Sequence, residues 1–284
     1  IGLTSNGALQ RVKRLFNAKK AGHTGSLDPI ATGMLPICFG EYTKFSQFLL
    51  ESDKSYFVTA KLGEETNTGD SEGHITVTKP IVDVTFERVL AVANKFVGEI
   101  EQIPPMFSAI KLQGKPLYEL ARQGIEVKRE PRKITIFGIE VEEVEADRFS
   151  MRVDCSKGTY IRTLVEDIGR ILGCGAHVIA LRRLNVSPYE DATSYTMDEL
   201  EEMLENHGQE KLLSCLLPVE TSVESFPSVR LSTSAVFYMR MGQAVRAPLP
   251  TGCSLVRLVS EDARFLGIGE VLADGRVKPV RLVA

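Results

Sequence analysis

No run of 18 apolar residues occurs in this 284-residue chain, so the sequence offers no membrane-spanning helix. No two cysteines fall at C-x-x-C spacing. The five present, Cys38, Cys155, Cys174, Cys215 and Cys253, are odd in number and far apart. That pattern excludes a secreted disulfide scaffold, argues against a zinc centre and points to a reducing, cytoplasmic setting. There is no internal repeat, no low-complexity tract and no G-x-x-x-x-G-K-[ST] phosphate loop. Positive charge is not in excess either. The 34 Lys and Arg against 37 Asp and Glu give a net charge of -3, which argues against a protein that coats nucleic acid without selectivity. The chain opens Ile1-Gly2-Leu3-Thr4-Ser5 with neither Met nor a leader-like stretch, so Ile1 is expected to lie downstream of the natural start.

What is present fits a globular protein with one large domain or a large and a small one: 43% hydrophobic and 25% charged residues. Charge is segregated along the chain. Residues 104–133 carry Lys111, Lys115, Arg122, Lys128, Arg129, Arg132 and Lys133 against Glu119, Glu126 and Glu130. Residues 190–226 hold ten acidic side chains and one basic, Lys211, whereas 228–284 hold eight basic and four acidic. An acidic protein can in this way present a basic face to RNA.

Periodicity predicts helices over 5–19, 42–50, 85–97, 116–123, 159–172 and 196–206. Strands are predicted over 34–39, 56–62, 133–143, 148–154 and 177–185, with a polar loop over 64–73. From 228 onward the pattern becomes short strand-like pieces punctuated by Gly242, Pro248, Gly252, Gly267, Gly269 and Gly275. The expected domains are therefore 1–227 and 228–284.

One segment stands out: Gly22-His23-Thr24-Gly25-Ser26-Leu27-Asp28-Pro29, continuing to Gly33 and Leu35. Alone, Asp28-Pro29 would start a turn. Gly22, Gly25 and Gly33 let the backbone bend and approach a ligand closely. Further pieces are Lys54-Ser55-Tyr56, Pro104-Pro105-Met106-Phe107-Ser108-Ala109-Ile110-Lys111 with Gly114 and Tyr118, Gly158-Thr159-Tyr160-Ile161-Arg162-Thr163-Leu164, and Leu181-Arg182-Arg183-Leu184. Taken singly, Tyr56 reads as a core aromatic, Arg162 as a helix-surface arginine with Glu166 at i+4, and His23 as an ordinary loop histidine.

Taken together and in this order, these strings resemble the TruB family of pseudouridine synthases, which isomerise a uridine in the T-loop of transfer RNA. The likeness covers about residues 1–220. Gly40-Glu41-Tyr42-Thr43-Lys44 is similar to the family's G-x-A-T-K with Tyr42 in place of alanine, and Ile1-Gly2-Leu3-Thr4-Ser5 is similar to the family's K-P-x-G-x-T-S without its leading Lys-Pro. The resemblance implies an α/β core of α+β type, with a mixed, mainly antiparallel sheet. It also implies an RNA-binding insertion at 104–132 and a small C-terminal β module of PUA type. It implies Asp28, Tyr56 and Arg162 as the catalytic set, with Arg162 pairing Asp28. A guanidinium beside a half-desolvated carboxylate keeps it ionised and fixes its rotamer. Three roles for Asp28 stay open: attack on the anomeric carbon, addition to carbon 6 of the base, or removal of the sugar 2′-proton. Tyr56 would stack on the flipped uracil and is a candidate for taking the carbon-5 proton. For the substrate, the resemblance implies His23, Tyr160, Leu181, Lys44, Lys111, Arg122 and Arg182. Neither cofactor nor metal is expected. The expected partner is the tRNA T-arm, with no membrane and no obligate protein partner, the chain acting as a monomer on uridine 55. The competing readings are a guide-dependent synthase of the dyskerin class and a noncatalytic tRNA-binding or tRNA-folding protein.

Overall fold

The computed structural model describes residues 1–283. The chain divides into two compact units, each discontinuous in sequence. The first comprises 1–4, 27–34 and 51–187, and the second 5–26, 35–50 and 188–284.

The first unit is built on a six-stranded sheet in the order Ala31–Gly33, Ala176–Val186, Lys54–Leu62, Arg148–Cys155, Arg132–Val144, Gly98–Gln102. Every neighbouring pair is antiparallel except Ala31–Gly33 with Ala176–Val186. This is the mixed, mainly antiparallel sheet expected from the sequence. Lys54–Leu62 shows why the segment is a strand. Tyr56, Val58, Ala60 and Leu62 are buried at every second position, the period of a sheet with one face on the core. Against that face lies the helix Ile161–Leu172, which buries Ile161, Leu164, Val165, Ile168 and Leu172, a stripe at i, i+3, i+4, i+7. It ends on Gly173 with φ 92°, the left-handed cap that glycine adopts without steric cost. Phe86–Ala93, capped by Thr85 accepting from the Arg88 N–H, adds Val89, Val92 and Ala93 to the same core.

Two expectations are corrected in detail. The run 34–39 is a strand only over Ile37–Phe39, because Pro36 has no N–H to donate; Ala31–Gly33 forms a strand instead. Within 64–73, Glu64–Thr66 pairs with Ile75–Thr78 as a hairpin.

In the second unit the helices Ser5–Leu15 and Met197–Leu213 are linked by Arg11 and Glu201, Nε to Oε1 at 2.6 Å and Nη2 to Oε2 at 2.5 Å. Val12, Leu200 and Leu212 are buried together there. The first helix stops short of residue 19 because Asn17 takes a left-handed φ of 47°. The second starts with a full capping box between Thr196 and Glu199. A separate five-stranded sheet orders Ser228–Leu231, Leu255–Ser260, Phe265–Val271, Arg276–Leu282 and Val245–Arg246. It is mainly β, with one helix that the sequence pattern did not mark. Thr233–Arg240 is a helix. Its Ala-Val-Phe-Tyr-Met composition reads as strand, but Ser232 caps it by accepting from the Ala235 N–H. No helix among the described residues is long and apolar enough to cross a membrane.

Candidate active site

Asp28 lies just before the strand Ala31–Gly33, in a turn closed by Ala31 N–H donating to its carbonyl at 2.9 Å. The Asp-Pro turn and the chemistry implied by the motif therefore coexist. Gly33 closes the segment. Its φ is +102°, and a Cβ there would sit 2.1 Å from the Arg183 carbonyl oxygen. Only glycine lets these parallel strands approach so closely.

Arg162 stands at the second position of the helix Ile161–Leu172, with its side chain only 5% exposed. Its Nε is 2.8 Å from Asp28 Oδ2, and Nη2 donates to Oδ1 at 3.2 Å. This two-pronged fork is specific to guanidinium and carboxylate. The remaining N–H groups are directed as well. Nη2 donates to the Phe107 carbonyl at 2.9 Å and Nη1 to the Thr68 carbonyl at 2.6 Å, with Asp70 Oδ2 3.7 Å from Nη1. Four of the five donors thus have an acceptor within 3.2 Å and the fifth faces the Asp70 carboxylate at 3.7 Å, so the cation is fixed before any substrate arrives.

Asp28 itself keeps 38% of its side-chain surface, open enough to meet a ligand. Burial raises its pKa above the ordinary aspartate value, Arg162 opposes that, and the Asp70 charge adds to the rise. Asp70 is 3% exposed and accepts from Thr68 Oγ1 at 2.6 Å and the Glu72 N–H at 3.1 Å. The sequence reading placed it in an undistinguished polar loop. No local signal separates it from Asn67 or Glu72, because its burial depends on a helix some 90 residues away.

Tyr56 is 9% exposed and lies opposite Arg183 in strand register. Burial pushes its phenol up and the Arg183 guanidinium pulls it down, with a net rise. Arg183, only 1% exposed, donates through Nε to the Met34 carbonyl at 2.7 Å. The pair Arg182-Arg183 therefore splits by strand alternation, Arg182 exposed and Arg183 buried. Leu181 is buried and pairs with Ala31 and Val58. Tyr160 is half-buried at the N-cap of the Arg162 helix.

The remaining candidates are dispersed. Lys111 is exposed in the two-residue strand Lys111–Leu112, and Arg122 is exposed with its guanidinium carbon 5.4 Å from the centre of the Tyr118 ring. A cavity of about 640 Å³ lies under this insertion, lined by Thr68, Phe107, Ile125, Arg129, Thr163 and Glu166 among others. His23 and Lys44 belong to the second unit. His23 pairs with Ile37 between the short strands Ala21–His23 and Ile37–Phe39, and Lys44 is ion-paired with Glu41. Among the described residues no group of three or more His, Cys, Asp or Glu side chains is arranged to hold a metal ion.

Comparison with known proteins is consistent along the whole chain. Residues 13–161 match the TruB family pseudouridylate synthase N-terminal domain. Residues 162–224 match the tRNA pseudouridylate synthase B C-terminal domain, and 227–283 match the C-terminal domain of pseudouridine synthase II TruB. The chain is 52% identical to tRNA pseudouridine synthase B of Vibrio cholerae, over 99% of this chain and 92% of that protein. It is also 52% identical to the protein of that name from Coxiella burnetii, over 99% and 91%. Among solved structures it resembles a chain of a Cbf5-Nop10-Gar1 complex, with TM-score 0.75, 28% identity and coverage of 100% of this chain and 80% of that one. A chain of an H/ACA RNP bound to a substrate RNA containing 2′-deoxyuridine matches with TM-score 0.75, 26% identity and coverage of 100% and 82%. An Asp28–Arg162 pair on a mixed sheet, three consecutive domain matches and full-length relatives agree: the chain belongs to the TruB family of pseudouridylate synthases.

Proposed function

We propose that this chain converts uridine to pseudouridine at position 55 in the T-loop of tRNA, alone and in the cytoplasm. The observation that carries the reading is the forked Arg162–Asp28 pair, which leaves a partly exposed carboxylate aimed by a buried cation. Such a carboxylate is held in one orientation and reorganises little as charge develops.

The reaction is an isomerisation. The bond from the anomeric carbon to N1 of uracil breaks, a bond from the same carbon to carbon 5 forms, carbon 5 loses a proton and N1 gains one. The target nucleotide flips out of the T-loop into the pocket. Tyr56 stacks on the base, and Leu181 supplies an apolar wall. Burial raises the pKa of the Tyr56 phenol, and Tyr56 is also the candidate for taking the carbon-5 proton. Asp28 acts on the sugar or the base by one of the three routes above, each of which uses the ionised form. The freed uracil rotates while trapped, and the pocket excludes water so that the glycosidic carbon is not hydrolysed. Basic side chains on the insertion, Lys111 and Arg122, and Arg182 on the sheet meet phosphates. Tyr160 lines the pocket, and His23 and Lys44 position the RNA. Residues 1–227 act as the catalytic domain, 104–132 as its RNA-binding insertion, and 228–284, which carry a separate sheet, as a PUA-like module.

The test is a T-arm stem-loop carrying tritium at carbon 5 of its uridines, incubated with the protein alone. The expected result is about one equivalent of tritium released per target uridine. Asp28→Asn is expected to bind the stem-loop within about threefold of wild type and to lose at least about a thousandfold in rate. No release from a bound stem-loop would favour a guide-dependent or noncatalytic protein. Full turnover by Asp28→Asn would overturn the role of Asp28.

A further inference from the structure

Gln102 is 3% exposed at the end of the edge strand Gly98–Gln102, directly before the chain leaves the sheet for the insertion. Arg132, its partner in register, begins the strand that brings the chain back. The Gln102 side chain faces the start of the Arg162 helix. Its Nε2 donates to the Tyr160 carbonyl at 3.0 Å, and its Oε1 accepts from the Tyr160 N–H at 2.8 Å. One primary amide thus pairs with both polar groups of a single backbone residue, as a neighbouring strand would.

Tyr160 is the N-cap of that helix, with extended φ −100° and ψ 106° and no side-chain cap of its own. Its carbonyl also accepts from the Leu164 N–H at 3.1 Å, the first helical hydrogen bond. The Gln102 amide is therefore what fixes the helix start, and Arg162 follows two residues later. The same arginine donates to the carbonyl of Phe107, inside the insertion. Root of insertion, helix start and catalytic cation form one bonded circuit.

We infer that Gln102 is a positioning residue for the isomerisation. It sets the helix start so that Arg162 presents its fork to Asp28, and it couples the seating of the insertion to that geometry. The inference rests on the reading of the chain as a uridine isomerase. A misplacement of about 0.5–1 Å at a guanidinium held by four hydrogen-bonding donors is enough to slow chemistry without unfolding the protein. Neither half of the amide can be dispensed with. A methionine of similar shape leaves the Tyr160 N–H without its partner and its carbonyl with the Leu164 N–H alone. A glutamate keeps the acceptor and places a second oxygen against the Tyr160 carbonyl.

The experiment compares wild type, Gln102→Met and Gln102→Glu in the full chain. It measures the single-turnover rate constant for tritium release at saturating enzyme, and separately the Kd for the same stem-loop. The expected result is a rate constant 10- to 100-fold below wild type in both variants, with Kd within threefold. A merely structural role would weaken binding and rate together through loss of folded protein. A wild-type rate in Gln102→Met, or a loss confined to Kd, or equal loss of Kd and rate in both variants, overturns the inference. Wild-type protein that releases no tritium overturns the uridine isomerase reading instead, so the two failures are distinguishable.

Discussion

Replacing Glu166 by glutamine should stabilise the protein at alkaline pH and by much less at acid pH. Glu166 is one helical turn beyond Arg162, and the loop residue Gly69 lies over it, so close that a Cβ there would be 2.9 Å from Oε1. Burial is the largest cause of a pKa pushed up from 4.5 to about 7. Arg162 and Arg170 pull it down, while Asp167 and Glu65 add to the rise. In the unfolded chain the same carboxyl titrates at its ordinary value. Between those two pH values the folded state holds more protons than the unfolded one, so stability falls as pH rises through that window. The full rise corresponds to roughly 3 kcal/mol, and the residual solvent access of a partly exposed group reduces it to about 2 kcal/mol. A glutamine amide at this position has no proton to lose. The Glu166→Gln variant should gain about 2 kcal/mol at pH 8.5 and about 0.5 kcal/mol at pH 5. Urea unfolding midpoints of both proteins from pH 5 to 8.5, at unchanged m-value, read this directly. A gain independent of pH, or a loss at pH 8.5, would refute the assignment of the destabilisation to a buried carboxylate.

Three other outcomes follow from geometry already described. Asp70→Asn removes a charge that raises the Asp28 pKa, so the acid limb of the kcat profile should move to lower pH; a limb that stays or moves up would contradict this coupling. Gly33→Ala would place a Cβ 2.1 Å from the Arg183 carbonyl at φ +102°. It should cost at least about 2 kcal/mol in denaturant unfolding, and a wild-type midpoint would show that the strands separate freely. Arg182→Ala, on the exposed side of its strand, should lower the slope of log Kd against log salt for the stem-loop by about 0.7 to 0.9 with no change in unfolding. Arg183→Ala, on the buried side, should lower the unfolding midpoint. Equal behaviour of the two would remove the distinction drawn from strand alternation.

Much of the fold was legible because its signals are local. Tyr56 to Leu62 alternates, Ile161 to Leu172 repeats at helical spacing, and the glycine-punctuated pieces from 228 onward fall in a five-stranded sheet. The motifs also marked Asp28, Tyr56 and Arg162, three residues from three distant segments, and the structure brings all of them into the first unit. Asp70 and Gln102 were not legible, since their chemistry depends on contacts made across 92 and 58 residues of chain. The helix Thr233–Arg240 was hidden by β-branched and aromatic residues whose strand preference is weaker than a well-placed serine cap. His23 and Lys44 show the converse. They sit in family-like strings, yet they fold into the second unit, where sequence spacing to Asp28 carries no distance.

The order of strands has a consequence for how the protein is made. Ala31–Gly33 and Lys54–Leu62 are both early in the chain, yet each pairs with Ala176–Val186, which lies between them. Gly33 meets its partner Arg183 only after 150 more residues have been added. At about 5–20 residues per second, that interval is roughly 8–30 s of translation. During it the segment bearing Asp28 has no sheet to join, and Lys54–Leu62 keeps one edge unpaired. A nascent chain arrested between residues 162 and 176 would therefore carry the carboxylate and the arginine but no seat for the strand that follows Asp28. The seat of the strand after Asp28 is thus completed only by Ala176–Val186, and shorter fragments present unpaired strand edges.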